Sequence, residues 1–457
     1  MLKINKLASN DYYKKPEYIV VEDYMSNGIW KGTGALKLNL FNTEMKKGQM
    51  ESLADGVHPL TENKICKKDK SGNPFQDYTL SATKYFSSMY FLDESLGEKA
   101  YQQDIQQCVN ETVSYIESLA SARINSKNEK ADGKVGLVYV QVNHETARPT
   151  KEKETKTTIR PDFQIHFHLL VWNRVVCEDG VVRELRNKEI YFNQKVAGAY
   201  FRKMQAKMLR KRGFEIEKCS DYEEYVRDEK SLKYKINSFK IKGISEEQML
   251  MFSNRKKEID YLAFKYGTTS NKGRDRIACD FRSSKILYDR NDLIKVWRDD
   301  AKKLGLTNNY IQSLKTFKKN DSLKYLKTDE NIFKYVIRND KVYKRDILIK
   351  LHELSQFIDF DVNKKLDSFI KSGMLTEIAK NTYKCNIDLS KEKIVKQERN
   401  LRNRITVDPS LVIKAFNISD INFHDFVSNK ISKEQINKFD IVKPIKKKVD
   451  QKQQSLK

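Results

Sequence analysis

The string Gln164-Ile165-His166-Phe167-His168-Leu169-Leu170-Val171 constrains this chain more than any other feature. Side chains alternate faces along a β-strand, so His166 and His168 point the same way with their ring nitrogens close together. A second string, Gly136-Leu137-Val138-Tyr139-Val140-Gln141-Val142-Asn143, is β-branched and partly alternating, reads as another strand, and runs into His144. Pairing the two strands brings a third imidazole to the first two. A lone histidine in an apolar run is ordinarily a core residue with a satisfied hydrogen bond. Two on one strand face repel as they protonate or lose water unless something binds them. Three neutral imidazoles leave coordination positions open, as a catalytic metal requires and a structural one does not. Spacing alone names neither metal nor reaction, because zinc hydrolases and sheet-based oxygenases also place histidines at i and i+2.

At 457 residues the chain can form two or three domains and bury a sizeable core without staples. Its formal charge of +25 and isoelectric point near 9.4 favour a polyanionic partner, nucleic acid first. A Lys-rich composition inherited from an AT-rich genome accounts for part of that charge. The 23 Tyr and 22 Phe exceed what a merely solvated surface needs, and they can stack on bases. Cys66, Cys108, Cys177, Cys219, Cys279 and Cys385 are scattered without a Cys-x-x-Cys pair, and so read as reduced apolar residues of a cytosolic protein. The N-terminal residues lack an apolar signal core, and there is no run of 18 apolar residues to span a membrane.

Up to about residue 310 the strand-like and helix-like segments alternate. Asp77-Tyr78-Thr79-Leu80 reads as a short strand, and residues 101–123 carry Ile105, Val109, Val113, Ile116 and Leu119 at helical spacing. Residues 147–160 are almost wholly Lys, Glu, Thr and Arg, which predicts a polar loop. Residues 195–211 predict a helix that buries Ala197, Tyr200, Met204 and Met208. Its cations then decorate the other face, as a solvated surface or as one that tracks phosphates. After a loose stretch around residues 317–321 come three helical periods (331–337, 344–354 and 360–371), Gly373, and strand-like runs at 375–379 and 382–387. That order suits a winged helix, a module that joins proteins as well as binding DNA. From residue 399 the chain is polar and ends in a basic tail. No G-x-x-x-x-G-K-S/T string encodes an ordinary P-loop motor.

Several separate strings, in order, resemble the TrwC/MobF conjugative relaxases of the HUH endonuclease superfamily. They are Tyr12-Tyr13, Tyr24, Trp30-Lys31-Gly32-Thr33-Gly34-Ala35, Asp77-Tyr78-Thr79-Leu80-Ser81-Ala82, His144-Glu145-Thr146-Ala147-Arg148, His166-Phe167-His168 and Leu209-Arg210-Lys211-Arg212-Gly213-Phe214. Tyrosines placed ahead of the histidines favour a relaxase over an HUH initiator of rolling-circle replication, the nearest rival. The resemblance covers residues 1–310. The chain departs from the family pattern in a long segment between His144 and His166, a single Tyr24 followed by Met25, and no proline after Ser81-Ala82.

The resemblance implies an α+β fold: an antiparallel-sheet relaxase domain with flanking helices over residues 1–312, a linker at 313–328, a small winged-helix domain at 329–400, and a polar basic tail at 401–457. It implies Tyr12 as the first nucleophile, with Tyr13 as the alternative, and Tyr24 as the second, with Tyr18 as its alternative. His144, His166 and His168 then hold a divalent ion, Mg2+ or Mn2+ in work, with Zn2+ or Ni2+ copurifying. Asp77 orients a ligand or takes the tyrosine proton. The implied partners are single-stranded DNA at a transfer origin, relaxosome accessory proteins, a type IV secretion coupling protein and a separate helicase. The implied place is the bacterial cytoplasm, with passage alongside the DNA during conjugation. Two readings from other classes stand against this one: a non-catalytic DNA-binding protein with structural histidines, and a zinc hydrolase of a small substrate.

Overall fold

The computed structural model describes residues 2–6, 28–68, 73–123, 133–151, 158–219, 238–268, 270–281, 288–315, 328–337 and 339–387. Two long strands organise the chain, β5 (Val135–Thr146) and β8 (Phe163–Cys177), paired antiparallel over most of their length. Both are rich in β-branched and aromatic residues, which suit a pleated surface packed on both sides. Beyond β8 lie β3 (Phe75–Ser81) and the edge strand β1 (Leu2–Lys6). Beyond β5 lies β2 (Ile29–Lys31), giving the antiparallel order β1-β3-β8-β5-β2. The far end of β8 also pairs with β9 (Val182–Arg186), which in turn pairs with β4 (Ser121–Arg123). Residues 121–123, at the end of the segment expected to be helical, therefore form an edge strand, and the helix stops at Ser118. In the expected polar loop, β6 (Thr150–Lys151) and β7 (Thr158–Ile159) pair as a short ladder.

One face of the sheet carries the larger core. Leu80, Leu137, Tyr139, Phe163, Ile165, Phe167, Leu169 and Val171 meet helices α3 (Lys84–Leu92), α4 (Gly97–Ser118) and α6 (Gln194–Lys211) there. Helix α4 buries Ile105, Cys108, Val109, Thr112, Val113 and Ile116, a stripe at helical period.

Among the described residues the other face is covered along part of its length only. Helices α1 (Thr33–Lys37) and α2 (Gln49–Ala54), with the turns around them, close over Val138, Val140, Val142, Leu170 and Trp172. Trp30 and Trp172 are fully buried in this second core. Each indole removes roughly 200 Å² from water, a gross stabilisation of about 5 kcal/mol at about 25 cal/mol per Å². The Trp30 N–H is satisfied by Gln49 Oε1 at 3.1 Å. His58, buried here, accepts from the Leu60 and Thr61 N–H groups at Nδ1 and meets the Leu38 carbonyl through Nε2 at 2.8 Å, a structural histidine with both ring nitrogens occupied.

The glycines of the Trp30–Ala35 string lie where α1 presses on β5. A Cβ on Gly32, which has φ +98°, would run into the Leu137 carbonyl oxygen, and one on Gly34 into that of Gly136. Glu117, from α4, locks this crossing: its Oε1 accepts from Thr33 N at 3.1 Å, Thr33 Oγ1 at 2.7 Å and Leu137 N at 2.7 Å. The last of these donors lies where the β5–β8 register shifts.

After α5 (Lys188–Phe192) and α6, the hairpin β10 (Ile216–Lys218) and β11 (Phe239–Ile241) leads into α7 (Glu246–Met251), α8 (Asn254–Lys265), α9 (Asn271–Asp280), α10 (Arg290–Lys303) and α11 (Asn308–Ser313). Trp297 of α10 packs on Phe91 and Phe163 and donates to the Pro161 carbonyl at 3.0 Å, so this late helix returns to the start of β8.

Residues 328–387 run α12 (Asp329–Val336), β12 (Lys341–Tyr343), α13 (Lys344–Leu354), α14 (Val362–Lys371), β13 (Leu375–Ala379) and β14 (Thr382–Cys385), with the strands in the order β12-β14-β13. Helix α13 packs along α6. Tyr200 and His352 meet edge to face at 5.2 Å, the Arg345 guanidinium lies 4.3 Å from the Phe192 ring centre, and Arg210 pairs with Asp359 at 2.7 Å. The cations of α6 therefore differ from expectation. Arg202 is buried and Arg210 is engaged, because the helix is covered on a second side by α13. The C-terminal tail lies outside the described residues.

Candidate metal centre

The covered part of the second face ends at Val142 and Leu170. Beyond it the same two strands continue as Asn143–Thr146 and Gln164–His168, where among the described residues only the helical side is packed. The register places His144 directly opposite His166, and His168 opposite both Val142 on β5 and Thr79 on β3. Directly paired residues share a face, so all three imidazoles emerge together. Their ring centres are 4.9, 5.0 and 5.3 Å apart, and one nitrogen from each lies within 4.8 Å of the others. Among the described residues this is the one group of three or more His, Cys, Asp or Glu side chains spaced to hold a metal.

The outer nitrogens set the tautomers. His166 Nδ1 lies 2.9 Å from the Gln164 carbonyl, and His168 Nδ1 lies 2.8 Å from Asp77 Oδ2. In each case Nδ1–H donates, which leaves the Nε2 lone pair for an ion. Asp77 is on the same face of β3, one step along from Thr79, whose hydroxyl donates to its other oxygen at 3.2 Å. The Asp77 carboxylate thus lies behind the His168 ring, on the side away from Nε2. Loss of water around the His166 imidazole, and next the neighbouring His168, push its pKa down to about 4, so it stays neutral at ordinary pH. Neutral imidazole is the ligand form. The donor set, three nitrogens with two fixed outer contacts, fits a divalent ion with open positions.

Tyr12, Tyr13, Tyr18 and Tyr24 lie outside the described residues. Two groups beside the site carried no sequence signal of their role. Glu145, next to a ligand, accepts from Arg290 Nε at 2.7 Å and from its Nη2 at 3.0 Å, while the Tyr90 hydroxyl reaches it at 3.1 Å. Arg290 also pairs with Glu98. Glu145 stands within the His144–Arg148 string, but its partner is 145 residues further on.

Three imidazoles gathered on the two central strands of an antiparallel sheet, with the larger helical layer behind them, make the arrangement that the resemblance to HUH endonucleases implied. The TrwC relaxase family model matches residues 3–304, and the chain belongs to that family. It is accordingly a conjugative relaxase, a metal-dependent, site-specific endonuclease and strand transferase of single-stranded DNA. Among solved structures the chain is similar to a metal-bound complex of the conjugative relaxase TrwC with oriT DNA, at 22% identity and a TM-score of 0.53, over 67% of this chain and 99% of that one. It is also similar to the metal-free complex, at 23% and 0.52 over the same shares, and to TrwC with a 27-mer comprising the recognition hairpin and the cleavage site, again at 23% and 0.52 over 67% and 99%. These likenesses establish the fold. No curated protein sequence matches. Among the described residues no helix is long and apolar enough to cross a membrane.

Proposed function

We propose that this chain cuts one DNA strand at a transfer origin with Tyr12 as first nucleophile, Tyr13 being the alternative, and rejoins it with Tyr24, for which Tyr18 is the alternative. The phenol oxygen forms a bond to phosphorus as the bond from phosphorus to the 3′-oxygen breaks. The phenol gives up its proton, the leaving 3′-oxygen gains one, and a 5′-phosphotyrosyl link holds the energy of the cut bond for religation. His144, His166 and His168 hold the ion, Mg2+ or Mn2+ at work, although imidazoles retain Zn2+ or Ni2+ more tightly through purification. When bound, the ion withdraws charge from a phosphate oxygen. Asp77 keeps the His168 ring in its ligand tautomer. The observation that carries this reading is the imidazole trio with Asp77 behind it, in a chain of the TrwC relaxase family.

We further propose the domain plan of nuclease (1–312), linker (313–328), winged-helix module (329–400) and basic tail (401–457). Relaxosome proteins, a secretion coupling protein and a separate helicase complete the machinery. The chain works in the bacterial cytoplasm and leaves with the DNA. The test is a pool of 3′-labelled single-stranded oligonucleotides tiling the transfer region, incubated with Mg2+ or Mn2+. A covalent adduct that survives denaturation and disappears in Tyr12→Phe or Tyr13→Phe is expected. Absence of an adduct with every divalent ion refutes the reading.

A further inference from the structure

We infer that Glu145, clamped by Arg290, is a positioning residue that fixes the His144 imidazole; this rests on the metal-site reading above. Contacts to Gln164 and Asp77 orient His166 and His168, both on β8. His144 is the one ligand contributed by β5, and the β5–β8 register shifts between His144 and Thr146, immediately beyond it. Pairing resumes at Thr146 and Phe163 with the extra residue on β8, so Glu145 is the β5 residue that spans the irregular step next to the ligand.

Glu145 is anchored from elsewhere in the fold. Its side chain turns to the helical side, where it meets Tyr90 of α3 and the fork of Arg290, the first residue of α10. Both carboxylate oxygens are engaged by one guanidinium, the arrangement that sets orientation as well as distance. Arg290 is held in turn by Glu98 at the start of α4. The group is largely sheltered, with side-chain exposures of 16% for Glu145 and 28% for both Arg290 and Glu98, so solvent screens it less than a surface pair. Trp297, two turns along α10, is buried against Phe91 and Phe163, which makes the base of the clamp a packed helix. Helix α10 therefore acts on the metal site through a ligand's neighbour.

Glu98 provides the control, because it shares Arg290 but does not adjoin a ligand. The full chain, stripped of metal, is titrated with Mn2+ by calorimetry, and its melting and metal-free binding to single-stranded DNA are measured alongside. Groups that hydrogen-bond a ligand directly change metal affinity by about 10–100-fold, and an anchor on the adjoining residue should act at the lower end of that range. Glu145→Gln and Arg290→Gln are expected to weaken Mn2+ binding by about tenfold or more, Arg290→Lys by less, and Glu98→Gln by under about threefold. Glu98→Gln and Glu145→Gln should melt alike and bind DNA as the parent does. Unchanged Mn2+ affinity in Glu145→Gln, or an equal loss in Glu98→Gln, overturns the inference alone. A parent chain that binds no divalent ion overturns the metal-site reading and takes this inference with it.

Discussion

Replacing His352 with phenylalanine should remove a defined part of the protein's acid sensitivity. The imidazole is 5% exposed in the joint between α13 and α6, edge-on to Tyr200, and its Nδ1 has no hydrogen-bond partner. Burial foremost, and then the Lys203 ammonium, push its pKa from 6.5 to about 3, with Asp361 pulling weakly the other way. The folded chain therefore keeps His352 neutral where the unfolded chain takes up a proton. The stability contributed is complete above the unfolded value, declines as pH falls below 6.5, and levels off near 3. At pH 5 the unfolded state has gained about 1.5 pH units of proton affinity, which at about 1.4 kcal/mol per unit is about 2 kcal/mol. Urea unfolding of the metal-free protein at pH 7.5 and pH 5.0 measures this. The parent should lose about 2 kcal/mol more than His352→Phe between the two conditions, while every other titrating group cancels in the comparison. At pH 7.5 the variant should be at least as stable, since an unpaired buried nitrogen is gone and the ring contact with Tyr200 remains. Identical pH dependence in the two proteins would refute the argument.

Two other substitutions probe the sheet. Asp77→Asn removes the charge behind His168 with little change of shape, and should lower Mn2+ affinity by about tenfold with melting nearly unchanged, as read by calorimetry and thermal denaturation. Gly34→Val drives a branched side chain into the Gly136 carbonyl and the Val138 side chain, and should cost about 3 kcal/mol or more, visible as a fall in the urea midpoint. If Gly34→Val folds with parental stability, the crossing of α1 over β5 is not as close as described.

The parts legible in the sequence share one property: their signal is local. Alternation along Gln164–Val171 and Val135–Asn143 specified two strands, and the period of two placed His166 and His168 together. Pairing of those strands brought in His144, and the family resemblance pointed to Asp77. The rest is long-range. The clamp on Glu145 comes from Arg290, and no periodicity links a strand end to a helix start 145 residues away. The cover over Trp30 and Trp172 is built from short helices and turns between 32 and 66, whose pattern is too brief to register as amphipathic. The cations of α6 looked like one open face because a helix flanked on two sides still reads as amphipathic; the partner that covers the second side, α13, begins 133 residues after α6 ends. Tyr12, Tyr13, Tyr18 and Tyr24 lie outside the described residues, and the sequence pointed to them as nucleophiles only through the family resemblance, because phenols in a polar stretch have no spacing that marks that role.

The two central strands behave like beams built into a wall. Between two layers of packing their inner lengths are immobilised, and the imidazoles are carried on the length beyond, which the described residues back on one side. Chemistry placed there can be altered at little expense to the masonry, so exchanging the imidazoles should leave the protein standing. The reverse does not hold: any loosening around Trp172 or Val140 is transmitted outward as a tilt of that outer length, and would disturb the grip on an ion before it disturbed the fold.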